Sequence, residues 1–157
     1  MNARHVIFGI FQRSLGQKIL RWKRSLTLGA RVAVIDGDGR FLLVKQSYAP
    51  GWLFPGGGVE FGETCEEAAL RELHEEAEVQ PTGPLQLHGV FSNHSRFPGD
   101  HLVVYTLREF SWNGFTPTSE IVSAEFFAPE QLPADTMQST RRRIDEILGK
   151  SPMSLEW

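Results

Sequence analysis

Cysteine is almost missing from this chain: Cys65 stands alone, so no internal disulfide can form. Neither Cys65 nor the five histidines fall at the spacings of a zinc site. The expectation is a reducing, cytoplasmic setting. Also lacking is an apolar run long enough to cross a bilayer. The longest near the start, residues 6–11, is broken by Gly9 and is followed by no small-residue cleavage site, so no export signal is read. Internal repeats, low-complexity tracts and obvious linkers are absent too, and 157 residues is about the length of one domain with one core. Acidic residues are missing from positions 1–35, which carry seven Lys and Arg; the remainder holds 9 basic and 19 acidic residues. The net charge of -3 therefore hides a basic start and an acidic body.

The basic start, residues 1–25, reads as an amphipathic helix. Ile7, Phe8, Phe11, Leu15, Ile19 and Trp22 recur at helical spacing, with Arg13, Gln17, Arg21 and Arg24 toward the other side. Such a helix either packs on the domain or on a second subunit, as in a homodimer, or lies on a membrane surface. Beyond it, residues 28–35 and 41–45 are strand-like and flank Asp36-Gly37-Asp38-Gly39, which predicts a hairpin. A helix is expected over 64–77, strands over 85–91 and 102–110 around a polar loop, and a short strand over 124–127. Pro129 and Pro133 then lead to a last helix over about 135–148, with Gly149 just past its end and residues 151–157 as a tail. The order of elements predicts an α+β fold, a mixed sheet packed between helices.

Eight of the acidic residues lie between Glu60 and Glu78. A helix turns about 100° per residue, so Glu72, Glu75 and Glu76 share one sector, while Leu70, Leu73 and Ala77 form a separate apolar stripe. Two carboxylates about 5–6 Å apart repel by about 3 kcal/mol at an effective dielectric near 20. On a solvated face that repulsion is tolerable; in a cleft it calls for a raised pKa, an arginine or a divalent cation. Ligands that are all oxygen favour Mg²⁺, Mn²⁺ or Ca²⁺ over zinc, and Mg²⁺ suits phosphate-bearing substrates. Just before the helix runs Pro55-Gly56-Gly57-Gly58-Val59-Glu60-Phe61-Gly62-Glu63. Three successive glycines permit close backbone approaches, offering carbonyls to a metal or amides to phosphate oxygens.

Together these residues resemble the Nudix box, G-x₅-E-x₇-R-E-U-x-E-E-x-G-U with U bulky and apolar. Gly57, Glu63, Arg71, Glu72, Leu73, Glu75, Glu76 and Val79 match, and only Glu78 departs, standing where the family has glycine. That glycine is an ordinary left-handed helix end, so either Glu78 adopts a strained conformation costing about 1–2 kcal/mol or the helix runs on toward Pro81 or Gly83. The resemblance extends over roughly 28–148 and implies an α/β/α sandwich whose residues 26–150 form a Nudix hydrolase domain. It implies Mg²⁺, with Mn²⁺ as a substitute, held by Glu72, Glu75 and Glu76 with the carbonyl of Gly57. Glu63 and Arg71 are implied to brace loop and helix. Glu72 would activate the attacking water, assisted by a later carboxylate, Glu120 in preference to Glu125. The implied reaction is hydrolysis of a diphosphate linkage in a nucleoside diphosphate derivative or nucleoside triphosphate. Removal of RNA 5′ diphosphates, or nucleotide binding without catalysis, are the alternatives.

Lys45 and Arg96 are candidate phosphate contacts, with exposed surface positions as the competing account; His94 and His101 lie in or beside the same loop as Arg96. Trp52, Phe54, Tyr48 and Phe97 are either base-stacking residues or packing residues.

Overall fold

The computed structural model describes residues 26–157, so the amphipathic segment 1–25 lies outside the described residues. In chain order the elements are β1 (Thr27–Val34), β2 (Phe41–Gln46), β3 (Trp52–Leu53), β4 (Gly56–Gly58), α1 (Cys65–Ala77), β5 (Gln80–Pro81), β6 (Gln86–Ser92), β7 (Asp100–Leu107), β8 (Phe110–Ser111) and β9 (Ile121–Phe127). A 3₁₀ turn, Pro129–Gln131, and α2 (Gln138–Ile147) complete them.

Apolar periodicity explains the layering. Residues 30–34 of β1 are buried except Arg31, and Phe41, Leu42, Leu43 and Val44 of β2 are all buried. Strands apolar on both faces must be covered on both sides. Alternate side chains accordingly enter two cores. Ala30, Val32, Val34, Leu42 and Val44 meet Ala68, Ala69, Leu73 and Ala77 of α1, whereas Ala33, Ile35, Phe41 and Leu43 meet Trp52, Phe54 and Ile144 of α2. The result is the α+β arrangement, strands sandwiched between two helices.

The hairpin expected at 28–45 forms only next to its turn. Asp36 holds the turn, its carboxylate accepting from the amides of Asp38 and Arg40. Past the single Ile35–Phe41 bridge, however, the two strands part. β1 joins a four-stranded sheet ordered β4-β1-β7-β6 and pairs in parallel with β7, while β2 sits between β3 and β9 in a second sheet. The turn signal is local; the long-range partners β7 and β9 take over the hydrogen-bonding edges that a simple hairpin would have paired.

The central helix begins as its sequence dictates. Thr64 caps it in a reciprocal box with Glu67, the Glu67 amide donating to the Thr64 hydroxyl and the Thr64 amide donating to the Glu67 carboxylate. It stops at Glu78, which takes the left-handed conformation at φ 54° and is the only non-glycine with positive φ among the described residues. Of the two alternatives for Glu78 the strained one holds. The Thr116 amide donates to its carboxylate at 3.1 Å and offsets part of the cost.

Candidate active site

β4 brings the glycine run against both β1 and α1. Gly57 lies opposite Ala30, and a Cβ on it would fall on the Glu72 carboxylate. Gly56, at φ 140°, has no room for a Cβ beside the Ala30 carbonyl. Its amide donates to Glu76 Oε2 at 2.7 Å, and Gln46 Nε2 donates to Glu76 Oε1 at 3.0 Å. Backbone and carboxylate therefore approach as closely as they do because side chains are missing from the strand between them.

Glu76 is 5% exposed. Burial pushes its carboxyl upward, and the Gly56 amide, Gln46 and the nearby Arg31 pull it back. Arg31 is the counter-charge. Its Nη1 donates to the carbonyls of Gly56 and Phe54, and burial lowers its affinity for the proton while Glu76 and then Glu72 restore it. A single cation set in a strand of Ala, Val and Leu thus balances part of the acidic face of the helix.

Arg71 organises the other side. Its Nε and Nη2 grip Glu63 at 2.7 and 3.0 Å, Nη2 also reaches the Gly58 carbonyl at 3.1 Å, and Nη1 donates to Glu72 at 2.7 Å. The paired guanidinium holds Glu63 down to about 2, with the Glu60 amide assisting. Loop, strand and helix are in this way joined through one side chain.

Beside these groups opens a cavity of about 570 Å³, lined by Arg31, Gln46, Gly56, Gly57, Gly58, Glu72 and Glu76 on one part and by Tyr48, Asn93, Arg96, Phe97, Glu120 and Trp157 among others elsewhere. Of the residues singled out from sequence, Gly57, Glu72, Glu76, Glu120 and Arg96 are brought together here. Glu120 accepts a hydrogen bond from the Tyr48 hydroxyl at 3.0 Å, and burial followed by that bond pushes the phenol up to about 12.

Glu75, Lys45 and Glu125 are not brought into the cavity, nor are His94 and His101. Glu75 is 58% exposed and leans on Arg71 at 3.5 Å. Lys45 pairs with Asp135 at 3.1 Å and lies over the Trp52 ring, and its neighbour Gln46 takes the inward position. Glu125 is exposed and accepts from Ser123. Trp52 and Phe54 belong to the core, whereas Tyr48 and Phe97 line the cavity. Sequence reading missed Arg31, Gln46, Asn93 and Trp157. Only Arg31 carried a signal, as the one charge within an apolar strand.

No three His, Cys, Asp or Glu side chains converge on a ready cation cage among the described residues. The donor set nevertheless suits a hard cation. Glu72, Glu75 and Glu76 occupy one helix sector as oxygen ligands only, Glu72 rests in the glycine cradle, and Glu75 is exposed beside it with a 3.5 Å contact to Arg71.

The NUDIX domain family matches residues 25–146. The chain belongs to the Nudix hydrolase family. Among its Nudix relatives, an ADP-ribose pyrophosphatase of Methanocaldococcus jannaschii is 33% identical over 135 residues, spanning 79% of each chain. An RNA pyrophosphohydrolase of Aeromonas hydrophila is 42% identical over only 50 residues, 32% of this chain and 29% of that one. The crystal structure of a MutT NUDIX hydrolase from Burkholderia pseudomallei superimposes with a TM-score of 0.68 at 26% identity, covering 78% of this chain and 98% of that one. The chain is thus an enzyme of the Nudix pyrophosphohydrolase type. Among the described residues no helix is long and apolar enough to cross a membrane.

Proposed function

We propose that this Nudix hydrolase cleaves the diphosphate linkage of a nucleoside diphosphate derivative or a nucleoside triphosphate with Mg²⁺, for which Mn²⁺ can substitute. The observation that supports this reading is the meeting of Glu72 and Glu76 with the glycine strand on the wall of one cavity, backed by Arg31. Glu72, Glu75 and Glu76, with the Gly57 carbonyl, would hold the cation. Bound there, Mg²⁺ supplies neutralising charge to phosphate oxygens and acidifies a water.

The chain's own groups do the rest. Gln46 and the Gly56 amide fix the Glu76 carboxylate, so its oxygens are positioned before substrate arrives. Glu72 accepts from Arg71 through one oxygen, which orients it. Glu72 is assigned to activate the attacking water, and Glu120, held by the Tyr48 hydroxyl at the cavity wall, to assist as proton acceptor. Arg96 offers its guanidinium to the phosphate of the departing fragment.

The test is a panel of nucleoside di- and triphosphate derivatives, with 5′-triphosphorylated RNA included, assayed with Mg²⁺, Mn²⁺ or a chelator. Wild type should turn over at least one nucleotide with metal and none with the chelator, and Glu76→Gln should lower kcat by at least about a hundredfold. A Glu76→Gln enzyme as fast as wild type would overturn the ligand assignment; RNA as the sole substrate would overturn the substrate class.

A further inference from the structure

Residues 151–157 do more than trail from α2. They return to the end of β6: the Ser92 amide donates to the Leu155 carbonyl at 2.9 Å and the Trp157 amide donates to the Ser92 carbonyl at 2.8 Å. From α2, Arg143 donates to the Glu156 carbonyl at 3.0 Å, Arg142 donates to the Trp157 carbonyl, and Glu146 accepts from the Ser154 amide at 2.9 Å. Arg143 is fully buried and is itself held by Glu146 at 2.6 Å.

This anchorage buries little of the segment, since Met153 and Leu155 stay exposed. What it fixes is the indole of Trp157. The ring sits with its centroid 6.2 Å from Phe91, and the Arg143 guanidinium lies 5.8 Å from its centroid. Trp157 is one of the residues that line the cavity, as are Asn93, Arg96 and Phe97. Asn93 is buried and spends its amide nitrogen on Asp100 at 2.7 Å, and Phe97 is 58% exposed.

We propose that Trp157 is a specificity-determining residue, a stacking platform that selects substrates carrying a planar heteroaromatic base. The inference rests on the nucleotide reading above and adds the residue that recognises the base. An indole clamped from behind offers area at almost no cost in ordering, and every nucleobase has a face to match it. The phosphate-handling groups, Glu72, Glu76 and Arg96, need no base to work. Binding of base and binding of phosphate are therefore separable.

The experiment uses the nucleotide hydrolysis assay with two competitive inhibitors, a nucleoside 5′-monophosphate and ribose 5-phosphate, which differ by the base. In wild type the nucleotide should inhibit at least about tenfold more tightly. In Trp157→Ala that advantage should shrink by about tenfold while inhibition by ribose 5-phosphate is unchanged, and Trp157→Phe should restore most of it. An advantage that survives in Trp157→Ala, or both inhibitors weakening in parallel, overturns the assignment and leaves the hydrolase reading intact. A wild-type protein that hydrolyses no nucleotide brings down that reading and this inference together.

Discussion

At the scale of single residues, the glycine at position 57 is set by what stands opposite it. The atoms nearest an added methyl would be those at the far end of the Glu72 side chain, which can swing. Gly57→Ala should therefore fold with a melting temperature close to wild type and yet lose at least about tenfold in kcat, because the displaced carboxylate leaves its position. Thermal unfolding and steady-state kinetics on one preparation check both halves. The same scale shows what a sequence discloses. Glu63, Arg71, Glu72 and Glu76 were legible because their spacing along a single helix and its entry loop fixes their relation. Arg31, Asn93 and Trp157 come from three distant parts of the chain and meet through strand pairing, which no local pattern encodes. For Lys45 and Gln46 the difficulty was which face each takes, and the pairing of β2 with β9 shifts register between those two residues. A shift of one residue exchanges the faces.

Among the elements, the joint between the 59–64 loop and α1 is electrostatic. The Arg71 guanidinium, helped by the Glu60 amide, depresses the Glu63 carboxyl from its ordinary 4.5 to about 2. A carboxyl whose folded value is depressed adds stability that is complete above the ordinary value and is lost as pH falls toward the folded one. Urea midpoints of wild type and Glu63→Gln should accordingly differ at pH 6 and converge as pH falls from about 4.5 to about 2. A gap that persists at pH 2 would mean the pair acts through packing. Helix α1 was readable at its start because Thr64 and Glu67 form a local box, and its end at Glu78 was ambiguous because the Thr116 amide that supports the strained turn is 38 residues away. The final helix begins at Gln138, later than the expected start at about 135, since residues 133–136 are held in a turn in which the Thr136 amide donates to the Pro133 carbonyl.

For the whole molecule, the α+β fold was legible in the order of strand-like and helical segments, and the nearly unbroken apolar runs of β1 and β2 are covered on both faces. The division of the strands between two sheets was not legible, because turn chemistry names neighbours in sequence and says nothing of β7 or β9. Function is distributed in the same way. The acidic helix and glycine strand supply one part of the cavity and the 92–101 loop with the returning tail supplies another, so truncating the tail would alter a binding wall formed far along the chain from the acidic helix.

The docked tail also occupies one end of the sheet's margin, pairing with β6 at Ser92. β6 is the outermost strand of the four-stranded sheet, and it carries the exposed apolar side chains Leu87 and Val90. An unprotected margin of this kind invites strands from other molecules to add on. A chain ending at residue 150 should thus self-associate more than the full-length protein at equal concentration, as light scattering would register, and a peptide of residues 151–157 should reverse the effect. Seven residues would then serve solubility as well as selectivity.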